Sequence, residues 1–203
     1  VGKAGAGLTY RGYDISDLSS FSSFEEVAYL LIYGALPNVM QLDAYKKRLR
    51  GMQSLPEPIK LVLENIPADS HPMDVLRTGC SMMGVIEPEG ESGRNSAAII
   101  DRLIVSFGSM LFYWYRFSHR NERINTVTNE DSIAGHLLNL LTGDDPDPDR
   151  RRALDVSLIL YAEHELNAST FAARIITSTL ADTYSAVTGG IGALRGNLHG
   201  GAN

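Results

Sequence analysis

From Ser23 onward the apolar positions of the chain recur at spacings of three and four. Ser23 and Glu26 form a capping-box pair. Val27, Leu30 and Leu31 make one apolar face, and Gly34 and Pro37 close the segment, which predicts a helix of about ten residues. Leu42, Tyr45, Leu49 and Met52 repeat the spacing, as do Ile59, Val62, Leu63 and Ile66 ahead of Pro67. Pro72 stands at the first position of another helix, whose face carries Met73, Leu76, Cys80 and Met83. A polar stretch from Glu87 to Ser96 breaks the pattern. Between Ala97 and Phe117 the chain is apolar almost all round, which predicts a helix buried on several sides. Ile133, Leu137, Leu140 and Leu141 mark the next helix, closed by Gly143 and the Asp-Pro loop at 144–149. Leu154, Leu158 and Tyr161 carry the pattern to His164, and a last helix is expected over about 170–187. Only the β-prone stretch Gly7 to Ile15, set between glycines, reads as extended. The expectation is an all-α fold of about eight packed helices, with any strand confined to the N-terminal region and no interdomain linker.

Composition narrows the class without naming a function. The chain has 203 residues, enough to bury a substantial core, and its 44% hydrophobic and 21% charged residues are ordinary globular usage. The net charge of −6 argues against nucleic-acid binding. The basic runs at Lys46, Lys47, Arg48 and Arg50 and at Arg150, Arg151 and Arg152 read as solvated helix faces, which leaves small anions admissible as partners. One cysteine, Cys80, excludes an internal disulfide and a cysteine zinc cluster, fits a reducing, cytoplasmic setting, and reads as an inert core thiol. The uncharged run Leu103 to Tyr115 falls short of the roughly 20 residues a membrane helix needs, so no membrane partner is expected.

Several motifs fail on spacing. Gly2-Lys3 is followed by Ala and lacks a phosphate loop's upstream glycine, and Gly190, Gly192 and Gly196 miss the dinucleotide spacing. His164-Glu165 begins like a zinc-protease motif, but position 168 is Ala, so no metal site is expected. Two polar clusters remain. In the first, Glu163 to Thr170, Asn167 and Ser169 could cap a helix. The second surrounds His199 with glycines at 189, 190, 192, 196, 200 and 201. Such a run is poor helix composition and predicts a turn or loop where a ligand approaches the backbone, with N–H groups available for an oxyanion.

The segments His164-Glu165-Leu166-Asn167-Ala168-Ser169-Thr170-Phe171 and Gly192-Ala193-Leu194-Arg195-Gly196-Asn197-Leu198-His199-Gly200-Gly201-Ala202-Asn203 together resemble the signature pair of the citrate synthase family. Tyr10 to Ile15, Phe24 to Ala28 and His71 to Val75 also match that family. Met73 to Gly79, Tyr113-Trp114-Tyr115 and Asp131 to His136 resemble its 2-methylcitrate synthase branch. The resemblance implies condensation of oxaloacetate with an acyl-CoA and hydrolysis of the thioester, with propionyl-CoA preferred in that branch and acetyl-CoA as the alternative. By resemblance, His199 hydrogen-bonds the thioester carbonyl, Ser169 tethers it, His164 binds oxaloacetate and Asn167 lies beside His164. The coenzyme A thioester is a substrate, and no cofactor or metal is implied. His119, His136 and His71 read as structural, His71 as a packing residue. The resemblance also implies a homodimer, which the apolar helix 97–117 would help to form. The 203 residues are expected to be the N-terminal part of the large helical domain. The small domain, the catalytic base, a second histidine and the carboxylate-binding arginines would lie beyond Asn203, leaving the chain incomplete and inactive alone. A helical interaction subunit that kept the scaffold is the alternative from another class.

Overall fold

The computed structural model describes residues 7–202, so the Gly2-Lys3 pair and Asn203 lie outside the described residues. The described residues form two compact units, one from residues 7–51 and 128–165, the other from 52–127 and 166–202. Among the described residues there are ten α-helices and two strands of two residues each. The expected all-α array is therefore found, with strand only at the N-terminal end.

The first unit opens on an antiparallel hairpin, β1 (Thr9–Tyr10) with β2 (Tyr13–Asp14), turned by Arg11 and Gly12 at positive φ. Helix α1 (Ile15–Phe21) follows directly, capped by Asp14, whose side chain accepts from Ser16 N–H. This short helix was not expected, and it begins at Ile15, the last residue of the stretch expected to be extended. Helix α2 (Phe24–Tyr33) has the predicted capping box and ends at Gly34 with φ 92°. The unit is completed by α3 (Val39–Arg50), α7 (Ile133–Thr142) and α8 (Pro148–Leu160). Its core gathers Tyr10, Leu18, Val27, Leu30 and Ile159. The Tyr10 hydroxyl donates to the carbonyl oxygen of Ile159 at 3.0 Å, pinning the hairpin to the end of α8.

The second unit is built from α4 (Glu57–Glu64), α5 (Pro72–Ile86), α6 (Ser96–Arg120), α9 (Ala168–Thr177) and α10 (Thr183–Leu194). Its core runs through Leu55, Ile59, Leu63, Val75, Met83, Ile99, Leu103, Met110, Tyr113 and Trp114. Helix α6 is 25 residues long, longer than its uncharged stretch indicated, and by length and composition it is apolar enough to cross a membrane. Half of that apolar window is buried. Ile99, Leu103, Val105, Met110, Tyr113 and Trp114 all sit in the unit's own interior.

Two expectations about the C-terminal region are corrected. The single helix over 170–187 is two helices. Ser178 and Thr179 turn their hydroxyls back onto the carbonyls of Ile175 and Ile176, Leu180 takes φ 63°, and Asp182 caps α10 by accepting from Ser185 N–H at 2.9 Å. The glycine run is also not all loop, because Gly189, Gly190 and Gly192 lie inside α10. Helix α10 packs so closely on α9 that a Cβ at Gly189 would overlap Ile176 Cδ1. Close packing there offsets a propensity loss of about 1 kcal/mol per glycine.

Candidate active site

The second unit brings together Asn167, Ser169 and His199. Asn167 is the N-cap of α9, and its Oδ1 accepts from Thr170 N–H at 2.9 Å and from the Ser169 hydroxyl at 2.7 Å. Capping is therefore part of what Asn167 does, and among the described residues its amide Nδ2 makes no hydrogen bond. His199 follows the end of α10 and lies 30 residues from Ser169 in sequence, yet its Nε2 is 3.0 Å from Ser169 Oγ. Ser169 N–H also points at Nε2, over 3.3 Å. The half-buried His199 is held in place by a turn in which its own N–H donates to Gly196 O at 3.0 Å. At the next position a Cβ would overlap the Leu194 carbonyl oxygen, so Gly200 is required for the chain to pass.

The proton on the imidazole is set by these contacts. The backbone N–H of Ser169 cannot rotate, and it aims a donor at Nε2, which favours the neutral tautomer with its proton on Nδ1. The hydroxyl of Ser169 has one proton and two acceptors within reach, His199 Nε2 and Asn167 Oδ1. Rotated toward Nε2, it reinforces the same tautomer. The result is an imidazole that can present Nδ1–H to an oxygen atom while its other nitrogen is fixed.

His164 belongs to the first unit. It is exposed, and its ring packs edge-on against Tyr161 with centroids 5.5 Å apart. The residue after it, Glu165, takes φ 54°, a left-handed conformation uncommon for a non-glycine residue. A strained turn beside a candidate binding histidine is a frequent feature of ligand sites.

The remaining histidines divide clearly. His136 is fully buried, its Nδ1 3.0 Å from Thr128 Oγ1, and burial pushes its pKa down to about 4, so it stays neutral. His119 lies at the exposed end of α6 against Trp114 and Tyr115. His71 is exposed rather than packed: it caps α5, its Nδ1 accepting from Met73 N–H at 3.1 Å. Arg195 is engaged by Asp74 at 3.2 Å, and the same carboxylate holds Arg77 at 3.0 Å. Cys80 is buried, and burial raises the pKa of its thiol, as an unreactive core cysteine requires. Sequence reasoning missed Glu25, a carboxylate with only 1% of its surface exposed. Two successive glutamates at a helix start read as solvent-facing charge, and no periodicity distinguishes the buried one.

An all-helical scaffold carrying a serine-tethered imidazole beside a helix N-cap defines a class of site suited to stabilising a developing oxyanion. The sequence profile of the family described as "Citrate synthase, C-terminal domain" matches residues 1–203. The chain belongs to the citrate synthase family. It is 59% identical over all 203 residues to the 2-methylcitrate synthase of Shewanella oneidensis, of which it covers 54%. Citrate synthase from Thermotoga maritima superposes with a TM-score of 0.85 at 34% identity, covering 99% of this chain and 52% of that one. The ternary complex of carboxymethyl coenzyme A and oxaloacetate with citrate synthase from Thermoplasma acidophilum superposes with a TM-score of 0.84 at 28% identity. That match covers 96% of this chain and 51% of that one. The chain spans about half the length of the curated relatives it matches.

Proposed function

We propose that this chain is about half of a 2-methylcitrate synthase, which joins propionyl-CoA to oxaloacetate and releases coenzyme A by hydrolysis. The observation that carries the reading is the pairing of His199 with Ser169 within a chain 59% identical to a 2-methylcitrate synthase. Forming a carbon nucleophile next to a thioester requires removal of a weakly acidic proton, and the charge that develops on the carbonyl oxygen must be stabilised. Nδ1–H of His199 is the donor for that oxygen, and Ser169 keeps the ring oriented. His164 binds oxaloacetate, and the amide Nδ2 of Asn167 is the group that reaches substrate. The base and the carboxylate-binding arginines come from the rest of the enzyme, and the 203 residues form the N-terminal part of its large helical domain.

Propionyl-CoA is favoured by the named relative, and acetyl-CoA is the second reading because the superposed structures are citrate synthases. One methyl group is worth about 1–3 kcal/mol of discrimination in an apolar pocket. Thiol release by the full-length enzyme with each acyl-CoA tests the choice: a higher kcat/KM with propionyl-CoA is expected, and a higher one with acetyl-CoA would remove the branch assignment.

A homodimer in the cytoplasm is part of the same reading. Its support is the outer face of α5 and α10, where Val85 is 71% exposed beside a cavity of about 500 Å³. The hydroxyl of Tyr184, one of that cavity's lining residues, has no hydrogen-bond partner among the described residues. Sedimentation of the full-length protein should give a dimer, and a monomer well above micromolar concentration would contradict it.

A further inference from the structure

His164 stands past the end of α8, on a turn whose outer side is open to solvent. Tyr161, His164 and Glu165 are exposed, while Ala162 packs against the core of the first unit. Local bonds hold this turn in part. Ala162 N–H donates to Ile159 O at 3.2 Å, and Glu165 N–H donates to the Glu163 carboxylate at 2.5 Å, beside the left-handed φ of 54° at Glu165.

The inner side of the turn is wound about one hydroxyl. Tyr10 Oη lies 3.0 Å from Ile159 O, 3.2 Å from Leu160 O and 3.5 Å from Glu163 O, and Tyr10 is 1% exposed. Carbonyls at a helix end have no partner within the helix, and a buried one left without a donor is costly. Here three carbonyl oxygens converge on a single phenolic proton, delivered from the opposite end of the first unit's sequence. Burial raises the pKa of that phenol, so the proton stays in place at neutral pH.

The hydroxyl is itself firmly sited. Tyr10 pairs with Tyr13 across the hairpin, and Arg11 donates to Leu31 O at 2.9 Å. The Tyr10 ring packs with Leu18, Val27, Leu30 and Ile159. Without the phenolic proton, the three carbonyl dipoles would face one another in a buried space with no donor between them. Their repulsion would open the turn at Glu163, the residue that precedes His164.

We propose that Tyr10 is a positioning residue for oxaloacetate: its hydroxyl holds the turn after α8 closed and so fixes where His164 meets the substrate. The inference rests on the reading of His164 as an oxaloacetate ligand. It gives Tyr10 no contact with substrate and no part in proton transfer.

Tyr10→Phe tests it in the full-length enzyme, because the ring keeps its packing and only the hydroxyl is lost. The KM for oxaloacetate should rise about 2- to 13-fold, the range that one neutral hydrogen bond commands. The kcat and the KM for the acyl-CoA should stay within about twofold, since only ground-state binding of oxaloacetate is weakened. Backbone amides of residues 162–165 should also exchange with deuterium faster in the variant. Tyr113→Phe is the control for lost stability alone. Its hydroxyl donates to Glu64 at 2.7 Å in the second unit, so its loss should leave both KM values unchanged. His164→Ala separates the two claims, and it should raise the KM for oxaloacetate at least as far as Tyr10→Phe does. A raised KM in His164→Ala beside an unchanged one in Tyr10→Phe would overturn the proposal and leave the reading of His164 standing. An unchanged KM in His164→Ala would overturn both. Equal rises in the two KM values of Tyr10→Phe, a like rise in Tyr113→Phe, or unaltered amide exchange at 162–165 would each reduce Tyr10 to a packing residue and overturn the proposal.

Discussion

Replacing Gly200 by Ala perturbs a point at which the backbone after His199 approaches the end of α10. The added Cβ would overlap the Leu194 carbonyl oxygen and lie 3.1 Å from the carbonyl carbon behind it. Both are backbone atoms of a helix terminus and cannot be relieved by a rotamer change, so the segment 199–202 must move. Overpacking of this kind costs about 1–3 kcal/mol, and a midpoint value corresponds to a fall in Tm of roughly 6–10 °C for a unit of this size. The functional cost should be larger, since a shift of about 1 Å in a positioned group can cost on the order of 100-fold in rate. Gly189→Ala is the control. There the overlapped atom is the terminal Cδ1 of Ile176, a flexible side chain, and the helix gains about 1 kcal/mol from losing a glycine, so the net effect should be near zero. Differential scanning of both variants, with thiol release by the full-length enzyme, reads the two effects. Equal and small losses in Gly200→Ala and Gly189→Ala would refute the claim that this contact positions His199.

Two further outcomes follow from the same geometry. His136 has a folded pKa of about 4 against an unfolded value of 6.5, so the unfolded chain takes up the proton first as pH falls. Its contribution is fully present above pH 6.5 and is lost between 6.5 and 4, up to about 3 kcal/mol, so the stability difference between the unaltered protein and His136→Gln should narrow over that window. Parallel stability curves from urea titrations would contradict it. Ser169→Ala removes the hydroxyl but leaves the backbone N–H on His199 Nε2, so kcat in the full-length enzyme should fall only about 2- to 13-fold, the worth of one neutral hydrogen bond. A loss beyond about 1000-fold would show that the hydroxyl, not the backbone donor, sets the tautomer.

How much of this was legible in the sequence depended on whether the deciding contacts were local. The capping box of Ser23 and Glu26 and the opening proline at Pro72 are found where they were read, because each is satisfied within four residues of itself. The break at 178–182 was hidden because apolar residues at 171, 175, 176, 180, 184 and 187 keep a helical spacing straight across it. The helical glycines were misread because their reason is a neighbouring helix: Gly190 faces Ala173 and the Ser169 carbonyl across the α9–α10 contact. At the site, no periodicity brings residues 169 and 199 together; only the family resemblance did, and the 3.0 Å contact is consistent with it. Glu25 was invisible for the complementary reason, since its partner N–H comes from Ile133, 108 residues away.

The central claim is that His199 of this chain stabilises the enol oxygen in a condensation completed by the rest of the enzyme. The most direct measurement is the rate of coenzyme A release from propionyl-CoA and oxaloacetate by the full-length protein, by its His199→Ala variant and by the 203-residue chain. Removing a donor to a developing oxyanion costs about 100- to 1000-fold, so the variant should lose at least that much while keeping its fold. The isolated chain should show no turnover, because groups that act as a unit fail together. A His199→Ala enzyme within tenfold of the unaltered rate, or comparable turnover by the isolated chain, would contradict the account.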